Sequence, residues 1–309
     1  MWDRSPAWGP DSQTGAFILG ADIPGEGSGG RRRNRGYSMK KFAKSSVCAA
    51  ALAVAGLAAS TGAASAAGEN VSGSMGLSYN TNFVSYGADV WGGGNSFYGP
   101  QGTTFAWGDI GFDFSPVTFN VGVWADINDN APSSIGGEIQ EIDVYGSLGY
   151  SAGDWSFGFT YQEWNYAGDQ ERIVDLSVAF DDSAYMPISL SPSLTWHFRV
   201  DGNGGQDEGS AIVLAIGPSF PLGSSPVSLS FPMGVGFFLD DNFQGGTDGG
   251  IAYGYFGPSF GVPLSFIDTA YGEWGVNWDL IYYTTDGDAI PGNVAGGFLT
   301  SSVGISVAF

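Results

Sequence analysis

Residues 188–201 read ISLSPSLTWHFRVD. Ile188, Leu190, Pro192, Leu194, Trp196, Phe198 and Val200 fall on one phase, and Ser189, Ser191, Ser193, Thr195, His197, Arg199 and Asp201 on the other. Successive side chains of a strand point to opposite faces, so a period of two is the mark of a sheet with one apolar and one polar surface. A helix would repeat every three to four residues instead.

The same alternation returns along the chain. Phe119, Val121 and Val123 alternate with Asn120, Gly122 and Trp124. Trp155, Phe157, Phe159 and Tyr161 alternate with Ser156, Gly158, Thr160 and Gln162. Val174, Leu176, Val178 and Phe180 alternate with Asp175, Ser177, Ala179 and Asp181. Val227 to Phe237 and Trp274 to Tyr282 repeat the pattern. Clusters of Gly, Asn, Asp, Ser and Pro separate these runs. Twelve strands are expected, near 71–90, 103–114, 117–126, 139–151, 155–165, 172–181, 188–200, 210–221, 226–240, 251–264, 273–285 and 298–309. The tenth slips phase around Gly254 to Gly257, where a bulge is expected.

Short connections (115–116, 152–154, 182–187, 222–225 and the longer 265–272) should alternate with long ones (91–102, 127–138, 166–171, 201–209, 241–250 and 286–297). An even strand count with short turns at one end and long loops at the other is the plan of a transmembrane barrel. Closure gives every backbone N–H and C=O a partner inside hydrocarbon. The fold expected is all-β: an antiparallel up-and-down barrel from 68 to 309. Apolar residues face lipid and small polar ones face the lumen. Trp91, Trp107, Trp124, Trp155, Trp164, Trp196, Trp274 and Trp278 are expected in interfacial girdles. A secreted soluble β-sandwich also alternates, but it seldom combines so many outward aromatics with so little charge.

Composition agrees. Of 309 residues, 51 are Gly, 15% are aromatic and only 13% are charged, against about 25% charged in an ordinary soluble domain. Eight of the ten cations precede residue 45: Arg4, Arg31, Arg32, Arg33, Arg35, Lys40, Lys41 and Lys44. Beyond them stand only Arg172 and Arg199, so the body from Gly68 carries about −25. That sign excludes a nucleic-acid binder and a polybasic membrane-surface protein.

Residues 39–67 read MKKFAKSSVCAAALAVAGLAASTGAASAA. A basic start, an apolar run from Val47 to Ala59 and the small-residue pattern Ala64-Ser65-Ala66 form a secretory signal peptide, with the mature chain expected near Ala67. The run is too short for a membrane anchor. Residues 1–38 lack apolar periodicity and are read as a disordered extension upstream of the true initiator, Met39. Cys48, the one cysteine, falls within the signal segment, so no disulfide is expected in the mature protein.

The last residues, SSVGISVAF, place Val303, Ile305, Val307 and Phe309 on one phase and end on an aromatic. This resembles the final-strand signal read by the barrel assembly machinery of the outer membrane. YNTNFVSYGADVWGGG (Tyr79 to Gly94) resembles the first strand of the Gcw_chp-type family of outer-membrane proteins, with Tyr86 where that family carries arginine. The resemblance implies a barrel of unassigned transport role and carries over no catalytic residue.

Candidate lumen-lining residues are His197, Arg199, Arg172, Glu141, Asp143, Asp175, Asn277 and Asp279, with the two arginines expected to pair with lumen acids. His197 shares its phase with Ser191, Ser193 and Thr195, the residue types of a lipid-active Ser-His site, but no third orienting group is evident. The acidic loops 201–209, 239–250 and 284–293 have oxygens but no calcium-loop spacing. No enzyme activity, cofactor or resident metal is expected.

The leading reading is a passive, porin-like channel for small neutral or cationic solutes, narrowed by loop 91–102. The alternatives are a structural barrel whose acidic loops bind partners, and a lipid-active enzyme. Expected partners are outer-membrane lipid and lipopolysaccharide, the assembly machinery and small solutes, but no nucleic acid. The expected location is the outer membrane, reached through the periplasm.

Overall fold

The computed structural model describes residues 70–94, 101–203 and 207–309. The expected signal segment and the extension before it lie outside them. The strands are β1 (Val71–Asn80), β2 (Thr103–Asp113), β3 (Val117–Ile127), β4 (Ile139–Ala152), β5 (Trp155–Tyr166), β6 (Asp169–Phe180), β7 (Ser193–Asp201), β8 (Gly209–Ile216 and Ser219–Pro221), β9 (Ser228–Ser230 and Met233–Phe238), β10 (Gly250–Phe256 and Ser259–Pro263), β11 (Glu273–Thr285) and β12 (Gly297–Ala308). Each pairs antiparallel with the next, and β1 pairs with β12 from Ser74↔Ala308 to Asn80↔Ser302. The sheet is therefore a closed twelve-stranded barrel.

The three two-piece strands are single strands interrupted by proline. Pro218, Pro232 and Pro258 have no N–H to give. Their carbonyls still accept from the neighbouring strand: Phe231 N at 2.9 Å, Gly257 N at 3.2 Å and Leu280 N at 3.0 Å. The ladder thus continues across each break. The slip expected near Gly254 to Gly257 resolves into two features. One is the break at Gly257 and Pro258, and the other is a register shift between Gly236 and Phe237 opposite β10.

Along β5 exposed residues alternate with less exposed ones, and the lumen-facing side chains become fully buried toward the long-loop end. Trp155, Phe157, Phe159 and Tyr161 are exposed on the outside. So are Leu77 and Tyr79 on β1, Leu148 and Tyr150 on β4, and Val303 and Ile305 on β12. An apolar surface that circles the barrel could not remain monomeric in water; it matches the lipid-facing band of a membrane barrel. Among the described residues no helix is long and apolar enough to cross a membrane.

Three expectations about strand and loop limits are corrected. The first strand stops at Asn80 rather than 90, because residues 81–94 turn inward and are largely buried. The seventh begins at Ser193 rather than 188. Asp182 captures the segment before it, accepting from Leu190 N at 3.0 Å and Ser191 N at 3.1 Å, and Ser191 has φ 48°. The expected long loop at 166–171 is a two-residue turn, Ala167-Gly168, with φ 49° and 83°. Two successive positive φ values are what a tight hairpin of the primed type requires.

Candidate functional site: a plugged lumen

After Asn80 the chain folds into the barrel mouth. Val84–Ser85 pairs with Ala88–Asp89 in a small hairpin whose tip, Tyr86-Gly87, has φ 42° and 80°. A Cβ on Gly87 would meet the Tyr253 ring at 2.6 Å, so close packing as well as backbone angle requires glycine there. Phe83 packs against Phe105 at 5.0 Å and Trp124 at 5.4 Å between ring centroids. Tyr86 packs against His197 at 4.2 Å and Phe243 at 5.6 Å.

Two further long loops close over the hairpin. Gln244 Nε2 donates to Ser85 O at 3.1 Å. Asn293 Nδ2 donates to Gly87 O at 2.8 Å, and its Oδ1 accepts from Asp89 N at 3.0 Å. Val294 N donates to Gly93 O at 2.6 Å, and Thr247 N to Asp288 O at 2.9 Å. Phe243, Ala289 and Ile290 join the same buried cluster. Asp89 accepts from Asn82 Nδ2 and from the Gly92 and Gly94 amides. Burial nevertheless raises its carboxyl above the ordinary aspartate value.

Residues 81–94, with the loops after β9 and β11, fill the long-loop end; of the expected plug, 91–102, residues 91–94 take part in it and 95–100 lie outside the described residues. Below the plug the lumen changes character. Ser74, Asn120, Ser147, Thr160, Ser177 and Thr195 line the short-turn half and are only half-buried. Asp109, bonded by Ser74 Oγ at 2.6 Å, and Asp279, bonded by Ser302 Oγ at 2.8 Å, are acids of this wall.

The barrel wall grips the plug with a polar network. His197 is fully buried. Its Nδ1 lies 2.7 Å from Asp175 Oδ1 on β6 and also meets the Tyr86 hydroxyl. Arg199 Nε lies 2.8 Å from Glu171 Oε1, Arg199 Nη1 donates to Phe243 O at 2.6 Å, and its guanidinium stands 4.4 Å from the Phe243 ring centroid. No serine among the described residues bonds to the His197 ring, so the Ser-His arrangement is not assembled.

Of the candidate lumen residues, His197 and Asp175 share one network, and Arg199 stands beside it, paired with Glu171. Glu141 and Asp143 are buried on the lumen phase of β4, apart from both arginines, and Asn277 donates to Asp279 at 3.1 Å on β11. Arg172 is elsewhere. It shares its phase with the lipid-facing Val174 and Leu176, so at the loop end of β6 it stands outside the barrel, 2.6 Å from Asp201 and 3.9 Å from Glu163. The expected partners of the arginines are thus replaced by Glu171, Asp201 and Glu163.

The tryptophans divide likewise. Trp155, Trp196 and Trp278 are exposed outside, in keeping with a girdle, but Trp124 and Trp164 are buried inside. Trp107 is opposite Trp124 on the lumen side, and Trp91 donates to Asp126 at 2.9 Å within the plug. Glu171 and Phe243 escaped the sequence reading. The parity of Glu171 with Ile173 and Asp175 could have revealed it; nothing local marks Phe243.

Fold and outer surface together define the class: an outer-membrane-type closed β-barrel, filled at one end by its own loops. Solved structures resemble it at low identity. A NanC porin is 8% identical with a TM-score of 0.42, covering 76% of this chain and 98% of the other. The translocator domain of the autotransporter NalP from Neisseria meningitidis is 12% identical with a TM-score of 0.36, covering 86% and 97%. An anion-selective porin from Comamonas acidovorans is 10% identical with a TM-score of 0.33, covering 78% and 99%. No family model and no curated protein matches the chain, so the Gcw_chp resemblance gains no support.

Proposed function

We propose that the protein is a porin-like channel of the bacterial outer membrane for small neutral or cationic solutes, held closed at rest by its loops. The observation that carries this reading is the contrast within one lumen. The short-turn half is lined by small polar side chains and carboxylates, with no arginine or lysine among them, while the long-loop half is packed. A wall of one sign attracts cations and repels anions.

Conductance across a planar bilayer tests it. Rare openings with a reversal potential favouring cations are expected; anion selectivity would overturn the reading. The packed mouth also supports a second reading, a barrel that does not conduct and instead presents its acidic loops to partners. Silence from both the wild type and a plug-loosened variant would favour that one. We assign His197 no catalytic role, since it is enclosed by Trp164, Tyr86 and Phe243. Recognition of Val303, Ile305, Val307 and Phe309 by the assembly machinery, and contact with lipopolysaccharide, belong to the same proposal.

A further inference from the structure

On the lumen face of four consecutive strands, Trp124, Asp143, Trp164 and Glu171 are direct neighbours in register. All four are buried. Asp126, Glu141 and Tyr166 form the next row toward the loops. Buried carboxylates need compensation, because removal from water is costly unless each is paired. Glu171 has Arg199 at 2.8 Å. Asp126 receives Trp91 Nε1, the Thr103 hydroxyl and Asn128 Nδ2. Asp175 has His197.

Glu141 and Asp143 have only each other, through a side-chain hydrogen bond between the two carboxyl groups. They are 2% and 3% exposed. Glu141 Oε1 and Asp143 Oδ1 meet no donor among the described residues. The indole Nε1 of Trp124, beside Asp143, is also buried and unpartnered. Among the described residues no cation is left for this pair, since Arg199 is engaged by Glu171 and Arg172 stands outside the barrel.

We infer that Glu141 and Asp143, between the indoles of Trp124 and Trp164, bind the ammonium group of a small organic amine beneath the plug. An ammonium group offers three N–H donors to the two carboxylates, and indole faces attract cations, more strongly once water is excluded. A hydroxyl or carbonyl oxygen on the same amine would accept from Trp124 Nε1. A hard metal ion is the poorer occupant. It calls for six or more oxygens, and among the described residues no group of three or more His, Cys, Asp or Glu is placed to hold one. The inference deepens the channel reading by naming a solute class, and rests on that reading only for the route by which an amine arrives.

The test uses the full barrel refolded in detergent, with ethanolamine hydrochloride as probe. Potassium chloride and sodium chloride at equal ionic strength are the comparisons. Ethanolamine should raise the thermal midpoint and change tryptophan emission, both saturably, while the other two salts change neither. Asp143→Asn and Glu141→Gln should each weaken the response at least tenfold; Asp169→Asn, at the exposed turn, should leave it intact. An equal response to potassium, a full response in Asp143→Asn, or no response in the wild type would overturn the site, the last because the pair would then hold a shared proton instead. Should the variants fail to fold, the wild-type comparison of the three salts still decides. None of these readouts uses current, so a silent bilayer would count against the channel reading alone.

Discussion

Asn293 and Gly87 lie 206 residues apart and are joined by a buried 2.8 Å hydrogen bond from the asparagine amide to the glycine carbonyl. Since Asn293 Oδ1 also accepts from Asp89 N, one side chain of the loop after β11 holds both sides of the hairpin tip. Each unmet buried polar group costs about 1–3 kcal/mol. Asn293→Ala should therefore favour release of the hairpin, raising the open fraction in bilayers by roughly tenfold or more. The barrel itself should keep its heat-modifiable migration on a gel. Unchanged gating would show that the hairpin is not the closing element.

The Arg199–Glu171 pair is buried on both sides. Removing one member of such a pair leaves an uncompensated charge, at a cost of about 3–5 kcal/mol. Arg199→Met should lower the unfolding midpoint in detergent–urea titrations by that order. Arg199→Met combined with Glu171→Leu should recover most of the loss, because apolar side chains of similar volume can replace a buried pair at little cost. A double variant as unstable as the single one would assign the loss to the contacts of Arg199 with Phe243 instead.

Parity made the wall legible in the sequence. Fourteen unbroken alternating residues around His197 and the runs in β5 and β6 fix which side chains face lipid, and they suffice for the strand count. The plug was not legible, because its order comes from contacts between residues such as Asn293 and Gly87 that no local pattern signals. Trp124 and Trp164 misled for a related reason: an indole suits both a membrane interface and a packed lumen, and only strand phase separates the two. Arg172 was misplaced although its even parity with Val174 and Leu176 was already visible. A charge near a strand end can stand outside the barrel, beyond the apolar band, so charge alone does not mark the lumen face.

His197→Gln tests the enzyme alternative. The substitution keeps a polar group near Asp175 and Tyr86 but removes the imidazole. Phospholipid and lysophospholipid content of cells carrying it should equal that of the wild type. A fall in lysophospholipid with the barrel still assembled would restore a lipid-active role.

Asp182 governs the turn that replaced the expected start of β7, and it is a pH-dependent contact. The Ser189 hydroxyl, then the Leu190 and Ser191 amides, hydrogen-bond its carboxylate and hold its pKa below the ordinary aspartate value. A group whose pKa is lower folded than unfolded stabilises the fold above its unfolded pKa, and that contribution is lost as pH falls through the folded value. Wild type and Asp182→Asn should therefore differ in unfolding midpoint at neutral pH and converge as pH drops below the usual aspartate range. A difference that persists unchanged into strong acid would show that the carboxylate charge contributes nothing to this turn, and that shape alone holds residues 182–192.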